Sequence, residues 1–190
     1  EKNLQDRTPR ASGPCGACHL AHNGAGKRLW AKPLTGGKDL ISDLCAGCHN
    51  KTGAAKKKLV GNNSHPVDVA LLETKMGSII EKISAELPLY SKNGDTVTDG
   101  AIACDTCHEP HRWTPSKSGP LAGYNKQNME GDGANSFLRK PNFPSAELCE
   151  VCHLANGRVD GTKHDLRERD SKGEKMSGQI FEQSGLCNAC

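Results

Sequence analysis

The cysteines place the tightest constraint on this chain, because all ten of them fall into five C-x-x-C pairs. In four pairs the next residue is histidine, and the fifth pair is the last one in the sequence. Histidine makes up only 8 of the 190 residues, so four chance placements are improbable. The pairs are Cys15/Cys18, Cys45/Cys48, Cys104/Cys107, Cys149/Cys152 and Cys187/Cys190, and the adjacent histidines are His19, His49, His108 and His153. Any fold must therefore accommodate four copies of one C-x-x-C-H string.

The string C-x-x-C-H is the attachment signature of c-type haem. Each thiol forms a thioether bond to a haem vinyl group, and the adjacent imidazole becomes the proximal ligand of the iron. Disulfides, zinc sites and redox-active pairs compete with this interpretation, but none of them requires the histidine. The gaps of 26, 55, 41 and 34 residues between pairs also exceed the ~15–20 residues typical of zinc sites. The sequence predicts four covalent haems per chain, with zinc and disulfide frameworks as the alternatives.

Four histidines lie outside the C-x-x-C-H strings, one for each of the four strings. This matching number predicts that they are the distal iron ligands. They are His22, His65, His111 and His164. Methionine is the other common axial ligand, but the three methionines show no such relation to the motifs. Ligation by two histidines fills both axial positions and lowers the reduction potential relative to methionine. The pattern therefore favours electron carriage with no catalytic residue, and it leaves open which distal histidine serves which iron.

His22 and His111 each follow a proximal histidine by three residues. If these stretches are helical, the two imidazoles of each pair lie on one face and cannot ligate opposite sides of one iron. Each distal histidine would then serve a neighbouring haem, which would hold the haems in close pairs. His65 precedes a proline that keeps it extended, and His164 lies in a polar loop, so both suit a distal ligand.

The composition predicts a mainly irregular, loop-rich fold with a few short α-helices, little β-structure and a core formed by haem. Leu, Ile, Val and Phe total only 32 of 190 residues, while Gly and Pro contribute 21 and 10. Short helices are expected at the haem sites. The formal net charge of +3 gives no reason to expect nucleic-acid binding. The absence of an 18-residue apolar run predicts no transmembrane segment.

Two local elements can be predicted more closely. Apolar residues recur at helical spacing between Val69 and Leu87, which predicts a helix that Pro88 ends, although Gly77 weakens it. The segment that follows predicts a hairpin with Asn93 and Gly94 at its turn.

The motifs are arranged as an internal repeat. In each copy a C-x-x-C-H-x-x-H string precedes a basic, apolar, proline-containing patch, "RLWAKP" or "FLRKP". An L-C-x-x-C-H string and a later lone histidine then complete the copy. This pattern predicts a first di-haem module at 1–103 and a second at 104–183.

The strings "CHEPH", "FLRKP…LCEVCH" and "SHPV" resemble those of multihaem c-type cytochromes with doubled C-x-x-C-H motifs. The resemblance implies an electron-transfer protein that is extracellular or at the cell surface, with the periplasm as second choice. Its partners would be other redox proteins or copies of itself, as in cytochrome filaments, whose subunits the chain is similar to. The rival function is a multihaem oxidoreductase of the nitrite or hydroxylamine type, with an active haem outside the visible sequence.

The segment at 184–190 has two interpretations. "SGLCNAC" aligns with "SGPCGAC" at 12–18, which predicts a histidine at position 191 and the start of a third module. A fifth haem would then be attached at Cys187 and Cys190. The alternative is a disulfide between these two cysteines, which the balance of eight histidines for four irons favours.

Overall fold

A computed structural model describes residues 3–33, 39–56, 64–112, 137–140 and 147–153. Over these ranges the chain forms five short α-helices, four two-residue strands and a few 3₁₀ turns, and the rest is loop. The helices are α1 (Pro9–Gly16), α2 (Leu40–Ala46), α3 (Ile80–Glu86), α4 (Cys104–Cys107) and α5 (Glu147–Glu150). The strands are β1 (Val69–Ala70), β2 (Leu89–Tyr90), β3 (Thr96–Val97) and β4 (Ala101–Ile102). The loop-rich fold that the composition predicts is confirmed.

The chain divides into two compact units that alternate along the sequence. The first consists of Glu1–Ala70, Tyr90–Thr96 and Gly100–Cys104. The second consists of Leu71–Leu89, Val97–Asp99 and Asp105–Cys190. The modular boundary at 103/104 stays a prediction. No helix within the described ranges is both long and apolar enough to cross a membrane.

Short helices at the cysteine pairs are confirmed, because four of the five described helices contain the first cysteine of a motif. The first two begin at side-chain caps. The Thr8 hydroxyl accepts from the Ala11 amide at 3.4 Å before α1, and Asp39 accepts from the Ser42 amide at 2.8 Å before α2. Threonine and aspartate are favoured at this position because they satisfy an amide that has no partner within the helix.

The segment from Val69 to Leu87 is not one helix, contrary to the prediction from its apolar spacing. It consists of strand β1, 3₁₀ turns at Leu71–Glu73 and Lys75–Ile79, and only then α3. A second start occurs because the Thr74 hydroxyl accepts from the Met76 amide at 3.0 Å. The expected end is correct, since α3 stops at Glu86 and the residue before Pro88 is extended.

The predicted hairpin is confirmed as part of a four-stranded antiparallel sheet with the order β1-β4-β2-β3. At its turn the Gly94 amide donates to the Ser91 carbonyl at 2.8 Å, and the Ser91 amide donates to Asp95 at 2.8 Å. Gly94 has φ +76°, and a Cβ there would lie 2.7 Å from an Arg28 guanidinium nitrogen. Glycine is therefore favoured at this turn by its positive φ, and any side chain here would also displace the Arg28 guanidinium.

The side-chain core of the first unit is small. Ile41, Tyr90 and Ala103 are buried together, and Trp30 packs against them. These residues come from α2, β2, the residue before α4 and the patch "RLWAKP". In the second unit the buried apolar side chains include Ile80, Ile83 and Leu87.

Ile83→Ala should lower the free energy of unfolding of the matured protein by about 2–5 kcal/mol, because it leaves a cavity at a fully buried site. Leu72→Ala is the matched control, since Leu72 is 55% exposed and its truncation should stay within about 0.5 kcal/mol. Denaturant unfolding followed by circular dichroism measures both. Equal losses in the two variants would contradict this assignment of the core.

Candidate haem-attachment sites

Each C-x-x-C-H string closes a tight turn at the end of its helix. The amide of the histidine donates to the carbonyl of the first cysteine in the first, second and fourth motifs. The bonds are His19 to Cys15 at 2.8 Å, His49 to Cys45 at 2.9 Å and His153 to Cys149 at 2.8 Å. Helical spacing of three residues places both thiols of a pair on one side of this turn.

The carbonyl of the second cysteine is held by a segment that returns from further along the chain. This contact recurs in the first three motifs. The amide of Ala31 donates to Cys18 at 2.7 Å, Ala55 to Cys48 at 3.1 Å and Arg139 to Cys107 at 2.9 Å. In the first two motifs the cysteine pair is therefore fixed on both sides, by the turn before the histidine and by the returning segment.

The first and third motifs, which have the longer form C-x-x-C-H-x-x-H, make the same backbone contacts with the patches that follow them. This similarity supports the repeat predicted from the sequence. The Leu20 amide donates to Leu29 at 2.8 Å, and the Glu109 amide donates to Phe137 at 2.7 Å. The accepting residues correspond, and both have positive φ, 54° at Leu29 and 60° at Phe137. The histidines form matching antiparallel bridges, His19 with Trp30 and His108 with Leu138.

The helical geometry expected between the paired histidines is wrong. Helix α1 ends at Gly16, His19 lies in a β-bridge and His22 lies in a bend. Likewise His108 lies in a bridge, and His111 lies in a separate 3₁₀ turn at Pro110–Arg112. The returning patch pairs with the backbone just after the second cysteine, and this pairing ends the helix. The i, i+3 spacing of these histidines therefore gives no support for close haem pairs.

The surroundings of His19 fit a haem ligand. Its Nδ1 bonds to the Arg28 carbonyl at 2.9 Å, an arrangement that leaves the lone pair on Nε2, the nitrogen available to an iron. The imidazole also stacks on Trp30, with ring centroids 4.8 Å apart and planes inclined by 21°. A cavity of about 630 Å³ adjoins the ring, and its lining includes Cys15, His19, Leu20, His22 and Arg28. Thiol, oriented imidazole and concave surface lie together here, as covalent haem requires.

Within the first unit, helix α2 lies against Cys104, the first cysteine of the third motif. The Ser42 hydroxyl accepts from the amide of Cys104 at 3.3 Å and from its thiol at 3.6 Å. The thiols of Cys45 and Cys104 also hydrogen-bond each other. This bond, with that of Ser42, lowers the pKa of Cys104 to about 6 against the opposing effects of burial and of Asp39. The first cysteines of two different motifs are thus in contact.

Other thiols remain neutral more readily. Burial raises the pKa of Cys18, and the neighbouring thiols of Cys48 and Cys15 raise it further. Burial alone raises the pKa of Cys152. The electrostatic effect of Cys48 on the pKa of Cys18 indicates that the first and second motifs also lie near each other in this unit.

A charged network surrounds His111 in the second unit. Nδ1 of His111 bonds to a Glu109 carboxylate oxygen at 2.8 Å, and the other oxygen pairs with Arg139 at 3.0 Å. Burial alone would raise the pKa of Glu109, but the hydrogen bonds from His111 and the charge of Arg139 lower it. The sequence does not predict a role for Glu109 or Arg139. The patch "FLRKP" belongs to the internal repeat, but nothing in the string indicates which side chain the arginine pairs with.

The structure describes fewer contacts for the remaining predicted ligand and attachment residues. Nδ1 of His65 bonds to the carbonyl of Pro66 at 3.0 Å, and the residue is exposed. His164, Cys187 and Cys190 lie outside the described residues. The division into proximal and distal ligands, and the use of the last cysteine pair, stay predictions.

Comparison with known protein families matches residues 8–54 to the model of the doubled CXXCH motif. This region contains the first two C-x-x-C-H strings and most of the residues that line the His19 cavity. The match indicates a haem-binding motif like that of multihaem c-type cytochromes, with covalently attached haem c and electron transfer as the usual function. Comparison with curated proteins and with solved structures finds no match.

The positive φ of Leu29 gives a prediction for the first doubled motif. Leu29→Val should lower the free energy of unfolding by roughly 1 kcal/mol or more, because a β-branched residue is strained in this conformation. Leu29→Asn should be tolerated, since asparagine adopts it readily. Thermal unfolding of the matured variants measures the difference. Equal stability of the Val and Asn variants would contradict the left-handed backbone at this site.

Proposed function

We propose that the chain is a multihaem c-type cytochrome that carries electrons through closely spaced haems, and that it is an electron-transfer protein, not an enzyme. This proposal rests chiefly on the contact between the thiols of Cys45 and Cys104, where Cys104 also bonds to the Ser42 hydroxyl. Haem c, when bound, supplies a one-electron couple between ferric and ferrous iron. The chain itself fixes where consecutive attachment points lie.

The proposed ligand set contains four haems, each held by two histidines. Every attachment pair supplies two thioethers, and the histidine after it supplies the proximal nitrogen. The turn hydrogen bonds and the tautomer of His19 support this role. His22, His65, His111 and His164 are proposed as distal ligands, and His22 adjoins the cavity beside His19.

The order of attachment points supports transfer along the chain. In the first unit α2 carries Ser42 and Cys45, which contact Cys104 of the third motif. Ile41 of the same helix packs with Ala103 and Trp30, and Trp30 stacks on His19 of the first motif. The second motif is therefore near both the first motif and Cys104 of the third, and we propose that its haem is the central one of the three.

We further propose that the protein acts outside the cell or at its surface, with the periplasm as second choice. Its partners would be other redox proteins or further copies of this chain in a filament. The support is the resemblance of its motifs to those of filament cytochromes, together with the exposure of two proposed distal ligands. His65 is exposed, and the His111 side chain is 76% exposed, so each could meet a neighbouring molecule.

Haem content and axial ligation test the function directly. A pyridine-haemochrome assay should give four haems per chain, and the reduced protein should bind almost no carbon monoxide, because both axial positions are filled. Substantial carbon monoxide binding would favour the oxidoreductase with an open iron site. Electron micrographs of the same secreted sample should show filaments if copies assemble. Dispersed particles at high concentration would contradict the filament proposal.

Removing the second attachment pair tests the order of the haems. The double variant Cys45→Ala/Cys48→Ala should lose one haem and, in electron paramagnetic resonance, the spin–spin interactions of the second haem with the first and with the third. The matched control Cys15→Ala/Cys18→Ala also loses one haem, but it should keep the interaction between the second and third. Equal interaction in the two variants would contradict the central position of the second haem.

A further inference from the structure

We propose that Glu109 is a positioning residue that orients the His111 imidazole towards an iron and strengthens it as a ligand. The inference rests on the proposed function, since it takes His111 as a distal ligand. It adds a role for a side chain that touches neither a haem thioether nor an iron.

The geometry between Glu109 and His111 fits this role. One carboxylate oxygen accepts from both the ring Nδ1 at 2.8 Å and the backbone amide of His111 at 3.1 Å. Two bonds to one oxygen restrict both the position of the residue and the rotation of its ring. The carboxylate is only 15% exposed, whereas the histidine is 76% exposed. Donation from Nδ1 leaves the lone pair on Nε2, which therefore points away from the carboxylate.

Arg139 holds the carboxylate in place. Its guanidinium pairs with the second oxygen of Glu109 at 3.0 Å and with the Asp105 carboxylate at 3.0 Å. It also donates from Nε to the Asp105 carbonyl at 2.7 Å, and its backbone amide donates to Cys107 at 2.9 Å. The guanidinium is 15% exposed, which makes these ion pairs stronger than surface pairs. The ring of His111 is thus connected through Glu109 and Arg139 to the haem-attachment helix α4.

The first C-x-x-C-H-x-x-H string, Cys15–His22, can be compared with the one that contains Glu109. Its backbone follows the same course, but Leu20 stands where Glu109 does, and Ala31 stands where Arg139 does. Both are buried apolar residues. Gly16 occupies the position of Asp105. The backbone pairing therefore does not need these charges, so they add a property that the first motif lacks.

A carboxylate bonded to Nδ1 gives the imidazole partial imidazolate character, which makes Nε2 a stronger donor to iron. A stronger donor favours ferric over ferrous iron and lowers the reduction potential. The haem ligated by His111 should therefore be reduced at a lower potential than it would be without Glu109. An effect of about tenfold on the equilibrium constant corresponds to about 59 mV for one electron.

The test is Glu109→Gln in the matured, full-length protein. Glutamine keeps the size and an oxygen acceptor but removes the charge. Redox titration followed by absorbance should show that one midpoint potential is raised and the others are unchanged. The rise should correspond to a change of about tenfold in the equilibrium constant of reduction. The low-spin g-values of one haem should shift in the same sample. Glu81→Gln is the matched control, because it removes an exposed carboxylate from α3 in the same unit and should shift no midpoint.

Arg139→Lys is the second variant, for use if the first matures poorly. It keeps the positive charge but loses the planar pair of bonds, so the same midpoint should rise by a smaller amount. Equal midpoints for Glu109→Gln, Glu81→Gln and the unchanged protein would overturn the role of Glu109, while a normal haem count would leave the proposed function standing. A colourless unchanged protein would instead overturn the proposed function.

Discussion

The structure depends on the backbone hydrogen bond that closes the C-x-x-C-H turn in the first, second and fourth motifs. The histidine amide reaches back to the first cysteine carbonyl at 2.8–2.9 Å, so two thiols and an imidazole follow one short helical end. A returning amide then occupies the carbonyl of the second cysteine, as Ala31 does for Cys18. These contacts use only backbone atoms, so they tolerate different side chains around them. The same attachment turn can therefore be repeated in a chain with few apolar residues.

The small apolar supply explains why the attachment sites and the core coincide. The buried cluster contains Ile41 of α2, Tyr90, and Ala103, which directly precedes Cys104. Trp30 packs against this cluster and also stacks on His19. Few large side chains are buried elsewhere in the described part of the first unit. Covalent haem adds apolar surface at these positions, and it can stabilise a fold that side chains alone would leave marginal. In the second unit Arg139 pairs with Asp105 and Glu109, and these ion pairs lie beside the attachment helix α4.

The sequence predicts the parts of this molecule that depend on local spacing. The attachment turns, their short helices and the hairpin at Asn93–Gly94 follow from residues close together in the chain. The single helix from Val69 to Leu87 was wrong, because Thr74 starts a new turn within a segment of helical apolar spacing. The left-handed residues and the Arg139 contacts could not be predicted, since the arginine meets Asp105 across 34 positions. No local pattern reports a partner at that separation, and it was this returning segment that ended the expected helices at the paired histidines.

Peptide mass mapping of the matured protein tests the central claim most directly. After proteolysis, peptides that contain Cys15/Cys18, Cys45/Cys48, Cys104/Cys107 and Cys149/Cys152 should each carry the mass of one haem, attached through both cysteines. Four such peptides would establish that the turns described here are attachment sites. Unmodified thiols, disulfide-linked peptides or zinc in place of haem at these pairs would contradict the account.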